Sequence, residues 1–249
     1  MNKWDFVNFP SKQMSAVVGK LQYLIPKKKR IVFGYPRCDH LFDDRLIREA
    51  LKEKEYIGNI LPQLNLENDF ILYAPTWRMD NCSSFPLLDL IFDKISHLNQ
   101  ILINEHKYLL VSKHPLAKNS IDLKGISNII YIPNSDLFNM GDLLPEITAL
   151  ITDYSSIATD FLIMDRPAAY YMPDYENYIY NIGLLDDLRT NLPGFEIIDY
   201  KDLANFIKNP KNESIEIKRN IDNYLKRYYD ISLCNSSKEL YQFINNMNK

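Results

Sequence analysis

Glycine is scarce in this chain, with 7 in 249 residues. No G-x-G-x-x-G fingerprint and no Walker A loop occurs, so a phosphate site here has to use hydroxyls and helix termini instead of a glycine cradle. Cysteine is scarce as well. Cys38, Cys82 and Cys234 match no zinc spacing and leave one thiol over in any disulfide scheme, which favours a reducing compartment. No apolar run reaches transmembrane length, and the first residues, Met1 to Phe6, show no long apolar core of a secretory signal. Neither sign of charge is in excess. With 29 Lys and Arg against 32 Asp and Glu the formal net charge is -3, and no nucleic-acid partner is expected.

What is present is a large apolar supply, 46% of residues, with 17 tyrosines and 12 phenylalanines to fill a core and its rim. From about residue 65 onward, short continuous apolar runs alternate with stretches of helical spacing. The runs are Phe70–Ala74, Tyr108–Val111, Asn128–Ile132, Ala149–Ile151, Ala168–Tyr171 and Glu196–Ile198. Helical spacing covers Asp43–Lys54, Leu87–Ile103, a short stretch near Leu137–Glu146, Tyr200–Lys208, residues 212–229 and residues 236–247. Such alternation predicts an α/β fold, a doubly wound parallel Rossmann-like sheet with right-handed crossovers. In the strand order 3-2-1-4-5-6, ligands bind where strands one and four meet, outside their carboxyl ends. The division expected is an N-terminal piece and linker over 1–42, with a strand at Ile31–Phe33, followed by the Rossmann-like domain over 43–249.

The stretch Thr148–Asp160 organises the rest. A buried strand ends in the polar turn Thr152-Asp153-Tyr154-Ser155-Ser156, and Ile157, Phe161 and Met164 then recur at helical spacing. Ser155 or Ser156 suits the N-cap. Three hydroxyls beside the positive end of a helix make a place for phosphate. Strand one ends at Pro75-Thr76-Trp77-Arg78, and strand two at Lys113-His114-Pro115. Arg78 can fork onto a phosphate or carboxylate. Lys113 and His114 stand where a strand meets its loop, and His114 can donate to a phosphate oxygen or protonate a leaving group. Asp153 either orients a donor or caps its own turn. His40, His97 and His106 show no ligand spacing and are expected to be structural or on the surface. No G-x-S-x-G elbow surrounds Ser155 or Ser156, which argues against a serine hydrolase.

Tyr73-Ala74-Pro75-Thr76-Trp77-Arg78, Ser112-Lys113-His114-Pro115 and Leu150-Ile151-Thr152-Asp153-Tyr154-Ser155-Ser156 together resemble the CDP-glycerol glycerophosphotransferases, the polymerases and primases of teichoic acids and teichoic-like capsules. Gly34-Tyr35-Pro36-Arg37-Cys38-Asp39 looks like the family's Gly-x-Pro-Arg-Asn-Asp, with Cys38 in place of asparagine. Arg166-Pro167 and Pro193-Gly194 fall where the family has Arg/Lys-Pro and Pro-Gly.

The resemblance implies a GT-B architecture, of which this chain is the C-terminal, nucleotide-binding domain with a short N-terminal remnant. It implies that His114 is catalytic and contacts the donor pyrophosphate. Arg78, Lys113, Thr152, Asp153, Ser155 and Ser156 would bind substrate, without a metal or a cofactor. An acceptor hydroxyl, on a cell-surface glycan or polyol-phosphate polymer, would attack the phosphorus of a CDP-polyol and release CMP. The family's general-base histidine lies in its N-terminal domain and has no counterpart before Gly34; the chain is then a truncated form, a fragment, or a subunit whose N-terminal half a second polypeptide supplies. The expected location is cytoplasmic, peripheral on the inner face of the membrane. The alternatives are a nucleotide-binding or partner module without turnover, and a nucleotide-sugar glycosyltransferase of GT-B type.

Overall fold

A computed structural model describes residues 4–76, 78, 85–112, 122–132, 139–185, 187–211, 213–229 and 235–247. Trp77, Lys113, His114, Pro115, Cys82, Cys234 and the first residues of the helix expected near Leu137 lie outside this set. Among the described residues there are two sheets. The small one pairs β1 (Val7–Phe9) with β2 (Arg30–Val32) in parallel. The large one is fully parallel, with β3 (Asp69–Tyr73), β4 (Lys107–Val111), β5 (Ile129–Tyr131), β6 (Ala149–Thr152), β7 (Ala168–Tyr170) and β8 (Phe195–Glu196) in the spatial order β5-β4-β3-β6-β7-β8. Counted from β3, this is the 3-2-1-4-5-6 order expected, and it makes β3 and β6 neighbours.

The helices, in chain order, are α1 (Lys12–Met14), α2 (Asp44–Glu53), α3 (Glu55–Ile60), α4 (Pro86–Leu90), α5 (Ile95–Asn104), α6 (Met140–Leu143), α7 (Ile157–Leu162), α8 (Tyr175–Asn181), α9 (Tyr200–Lys208), α10 (Ile215–Tyr228) and α11 (Ser236–Met247). Strand residues alternate between two apolar layers. Phe70, Leu72, Leu110, Leu150 and Tyr170 face Ile47, Ile57, Leu143, Phe161 and Ile221. Ile71, Tyr73, Leu109, Val111 and Ile151 face Leu88, Leu98, Leu102, Leu203 and Phe206 on the other side. Both faces are therefore covered, which is why the strands read as unbroken apolar runs.

Several elements differ from the sequence reading: β8 lies at Phe195–Glu196 and not over Glu196–Ile198, and α3 and α8 fall where no helix is expected. The single helix expected over Leu87–Ile103 is two, α4 and α5, joined by a 3₁₀ turn at Phe92–Lys94. The turn leaves Phe92 in solvent and lets Leu88 and Leu98 both reach the same sheet face. The strand near residue 31 begins at Arg30 and stops at Val32. Its partner β1 has no counterpart in the sequence reading. It is three residues long with polar Asn8 in the middle, and that side chain accepts from Phe33 N at 3.0 Å and donates to Gly34 O at 2.7 Å.

The N-terminal segment is held by the end of the chain. Ser11 Oγ donates to Arg227 O at 2.7 Å, and the Phe6 and Phe33 rings lie 5.1 and 5.3 Å from Phe243 of α11. Arg166 is buried among carbonyls, donating to Pro145 O and Ile147 O at 2.7 and 2.5 Å, and burial pushes its guanidinium down to about 10. Buried Glu146 accepts from Tyr56 N and Ile57 N, both at 2.7 Å, and so satisfies two free N–H groups at the start of α3.

Gly194 lets the chain enter β8 against β7. A Cβ there would stand 2.3 Å from Ala168 O and 2.8 Å from the Tyr170 ring, and neither the strand nor the buried ring can give way. Gly194→Ala is expected to destabilise by about 3 kcal/mol, the upper range for overpacking against fixed neighbours. Urea unfolding checks it, and an unchanged midpoint contradicts it.

Candidate functional site

Because β3, β6 and β7 are adjacent, the polar segments at their carboxyl ends meet, and hydrogen bonds join them. Ala74 N donates to Ile151 O at 3.0 Å, and Thr152 Oγ1 donates to Ala74 O at 2.7 Å. Asp153 Oδ1 accepts from Thr76 N, Thr76 Oγ1 and Tyr154 N at 2.8, 2.7 and 2.6 Å. Arg78 then crosses all three tips. Its Nη1 donates to Asp153 Oδ2 at 2.7 Å and to Thr76 O at 2.8 Å. Its Nε and Nη2 fork onto Asp174, just beyond β7, at 2.8 and 3.0 Å. Tyr154 Oη donates to the same Asp174 at 2.9 Å, and the Tyr154 ring stacks on Tyr178 of α8 with centroids 3.8 Å apart.

The Arg78 and Asp153 side chains are only 4% and 3% exposed, and Asp174 is 26% exposed. A charge buried to this degree is tolerable only when paired and fully hydrogen-bonded. Burial works against the Arg78 cation, and the bonds and charges of Asp174 and Asp153 outweigh it and keep it charged. Burial pushes the Asp153 carboxyl above its ordinary value, against the pull of Arg78 and Thr76. At Asp174, burial is outweighed by the Arg78 fork and the Tyr154 hydroxyl, which hold it below the usual carboxylate range.

Immediately beyond this joint the chain opens onto a cleft of about 800 Å³. Ser155 and Ser156 line it from the turn before α7. Arg37 and His40 line it from the segment after β2, with Asn139 at the start of α6 and Asp160 on α7. Arg37 is 57% exposed but fixed in direction. Its Nε and Nη2 bond Asp160 at 3.1 and 3.2 Å, and its guanidinium lies 4.2 Å from the centre of the Tyr35 ring. Tyr229 Oη also donates to Asp160 and stands 3.3 Å from Cys38 Sγ. Asp39 accepts from Ser236 N and Ser237 N at 2.9 and 2.8 Å, capping α11. The Pro36-Arg37-Cys38-Asp39 run thus ties α7 and both C-terminal helices to one wall of the cleft.

The sequence-predicted residues divide into three groups. Ser155 and Ser156 line the cleft together; Ser156 takes the N-cap position, and Ser155 Oγ accepts from Ile157 N at 3.4 Å. Arg78, Thr152 and Asp153 are buried in the joint. The Thr152 hydroxyl is used on Ala74 O, and Arg78 binds two carboxylates of the chain itself. Lys113 and His114 lie outside the described residues; Ser112, just before them, donates to Tyr73 O at 2.9 Å at the carboxyl end of β4. Sequence reasoning does not single out Asp174, Asp160 or Arg37, and it sets His40 aside. Two signals were available. Asp174 is the acidic residue closest after the fifth apolar run, at a strand tip of the same sheet, and Arg37 sits in a motif that suits a ligand as well as a turn.

The joint and the cleft wall each yield an expectation. The Asp174 contribution is full above the ordinary carboxyl value and is lost as pH falls through its depressed folded value. Asp174→Asn is therefore expected to cost about 2 kcal/mol at neutral pH and to flatten the loss of stability below about pH 4, monitored by urea unfolding against pH; parallel curves for both proteins contradict it. Burial raises the Cys38 thiol to about 12, and the residue has no exposed surface. Iodoacetamide at neutral pH is expected to leave the Cys38 peptide unmodified in the folded protein and to label it in urea, as read by mass spectrometry.

Residues 1–246 match the model of the family described as CDP-Glycerol:Poly(glycerophosphate) glycerophosphotransferase. The chain is 31% identical over 247 residues to a teichoic acid glycerol-phosphate primase of Bacillus subtilis (strain 168), covering 99% of this chain and 58% of the primase. It is 30% identical to a teichoic acid poly(glycerol phosphate) polymerase of Bacillus spizizenii, over 96% of this chain and 58% of the polymerase. Among solved structures it resembles a variant of the wall teichoic acid polymerase TagF soaked with CDPG, with a TM-score of 0.79, 26% identity, and coverage of 98% of this chain and 58% of that one. The chain therefore spans less than two thirds of the length of these relatives. A match running through residues 1–246, on a fold shared with the polymerase, shows that this chain belongs to the CDP-Glycerol:Poly(glycerophosphate) glycerophosphotransferase family.

Proposed function

We propose that this chain is the donor-binding half of a transferase that moves glycerol phosphate, or another polyol phosphate, from a CDP-activated donor to a hydroxyl of a teichoic-like polymer, releasing CMP. The observation that carries the proposal is the cleft lined together by Ser155, Ser156 and an oriented, half-exposed guanidinium, Arg37. A diphosphate needs donors and positive charge in one place, and this cleft offers both. Arg37 is already aimed by Asp160 and Tyr35, so little freedom is lost when an anion arrives.

In this reading His114 assists departure of CMP by donating to the pyrophosphate, with Lys113 as a further donor-binding residue. The acceptor hydroxyl oxygen attacks the phosphorus bonded to glycerol and gives its proton to the general base of the acceptor half, the bond from that phosphorus to the bridging oxygen breaks, and CMP leaves with that oxygen. Positioning and charge neutralisation carry most of such a phosphoryl transfer. The relatives' names support a polyol-phosphate polymer as the acceptor. Peripheral attachment at the inner membrane face, and an acceptor half supplied by another polypeptide, belong to the same proposal. Among the described residues no helix is long and apolar enough to cross a membrane.

Calorimetric titration with CDP-glycerol, CDP-ribitol and UDP-glucose, together with an assay of CMP release on a teichoic acceptor, tests this reading. A CDP-polyol is expected to bind in preference to UDP-glucose. Ser155→Ala and His114→Ala are each expected to weaken binding on the order of tenfold, the worth of one hydrogen bond to a charged group. Preference for UDP-glucose, or unchanged affinity in both variants, overturns it. Binding without CMP release supports the donor site and refutes turnover by this chain alone.

A further inference from the structure

The joint of Arg78, Asp153, Asp174 and Tyr154 is more than the fold requires. β3, β6 and β7 are already paired along their lengths by backbone bonds, and apolar layers cover both faces. Burying a guanidinium with two carboxylates gains little stability over an apolar packing of similar volume. What the arrangement does supply is direction. Asp153 is held through both oxygens, by Thr76 and Tyr154 on one and Arg78 on the other. Tyr154 is held at three points: its N–H by Asp153, its hydroxyl by Asp174, and its ring by Tyr178. The next residue is Ser155. Asp153 and Tyr154 are therefore held in place, and Ser155 and Ser156, which line the cleft, leave from a fixed base.

We propose that Arg78 is a positioning residue: by bridging Asp153 and Asp174 it locks the Tyr154 backbone and so aims Ser155 and Ser156 into the cleft, without itself touching the donor. The proposal rests on the donor reading above. It separates the arginine that orients the turn, Arg78, from the arginine that faces the cleft, Arg37. The fork geometry explains why the residue is arginine. One planar group spans two carboxylates from different strand tips, and an ammonium offers no such fork.

The experiment uses the full chain, with Arg78→Gln, Arg78→Lys and Tyr154→Phe. Tyr154→Phe keeps the stack on Tyr178 and removes only the bond to Asp174, so it folds even if Arg78→Gln does not. Two quantities are read at a temperature where circular dichroism shows the folded state: amide hydrogen exchange over residues 154–158 without ligand, and affinity for CDP-glycerol. The folded variants are expected to exchange faster at 154–158 than the wild type while the core of β3 and β6 is unchanged. Their donor affinity is expected to fall on the order of tenfold, as displaced binding groups do, with Arg78→Lys recovering only part of the loss relative to Arg78→Gln. Unchanged exchange at 154–158 overturns the proposal whatever the ligand does. Faster exchange with wild-type affinity overturns the link to the donor. A wild-type protein that binds no CDP-glycerol defeats the donor reading, and exchange still decides whether Arg78 holds the turn.

Discussion

One buried guanidinium sets the geometry of this molecule's working end. The carboxyl ends of parallel strands are where backbone pairing stops and loops begin, so they are the least determined part of a doubly wound sheet. Here β3, β6 and β7 end side by side, and Arg78 joins all three through Asp153 and Asp174. The desolvation cost of that cation is offset only because every contact is in place at once, so the joint is all-or-none and does not creep. The cleft walls inherit that rigidity on the side of Ser155 and Ser156.

The part of the cleft around Arg37 is built differently. Arg37 is aimed by an exposed pair with Asp160 and by the Tyr35 ring, and Asp160 is shared with Tyr229. Partners at the surface are screened by water and contribute little to stability. Their effect is to restrict a cation that remains available to an anion. The Pro36–Asp39 run also caps α11 and contacts Tyr229, at the end of α10, so this wall is anchored to helices from the end of the chain. The proposed donor site draws on the cleft, and neither the family match nor the shared fold requires the buried arginine to be a ligand.

The sheet was legible because its two-sided burial writes itself into the chain as short, unbroken apolar runs. Phe70–Ala74 and Ala149–Ile151 lie within one residue of β3 and β6, and the strand order is that of a doubly wound sheet. α9 and α11 begin and end where their spacing predicts. The break between α4 and α5 was not legible, since neither glycine nor proline marks it; it comes from how two helices share one sheet face. β1 was hidden because three residues with an asparagine at the centre carry no period. Within the site, the sequence located the charged groups and not their partners. Arg78 looks the same in one dimension whether it faces a phosphate or Asp174, and the 96 residues separating that pair are closed only by the fold. The hydroxyl of Thr152 likewise reads as free in the sequence, whereas the neighbouring strand's Ala74 carbonyl takes it.

The most direct test of the central claim is a crystal structure of the chain with CDP-glycerol bound. The expected result places the diphosphate within hydrogen-bond distance of the Ser155 and Ser156 hydroxyls and of Arg37, with Arg78 still paired to both Asp153 and Asp174. A diphosphate seated on Arg78 with either of those pairs broken would contradict the account.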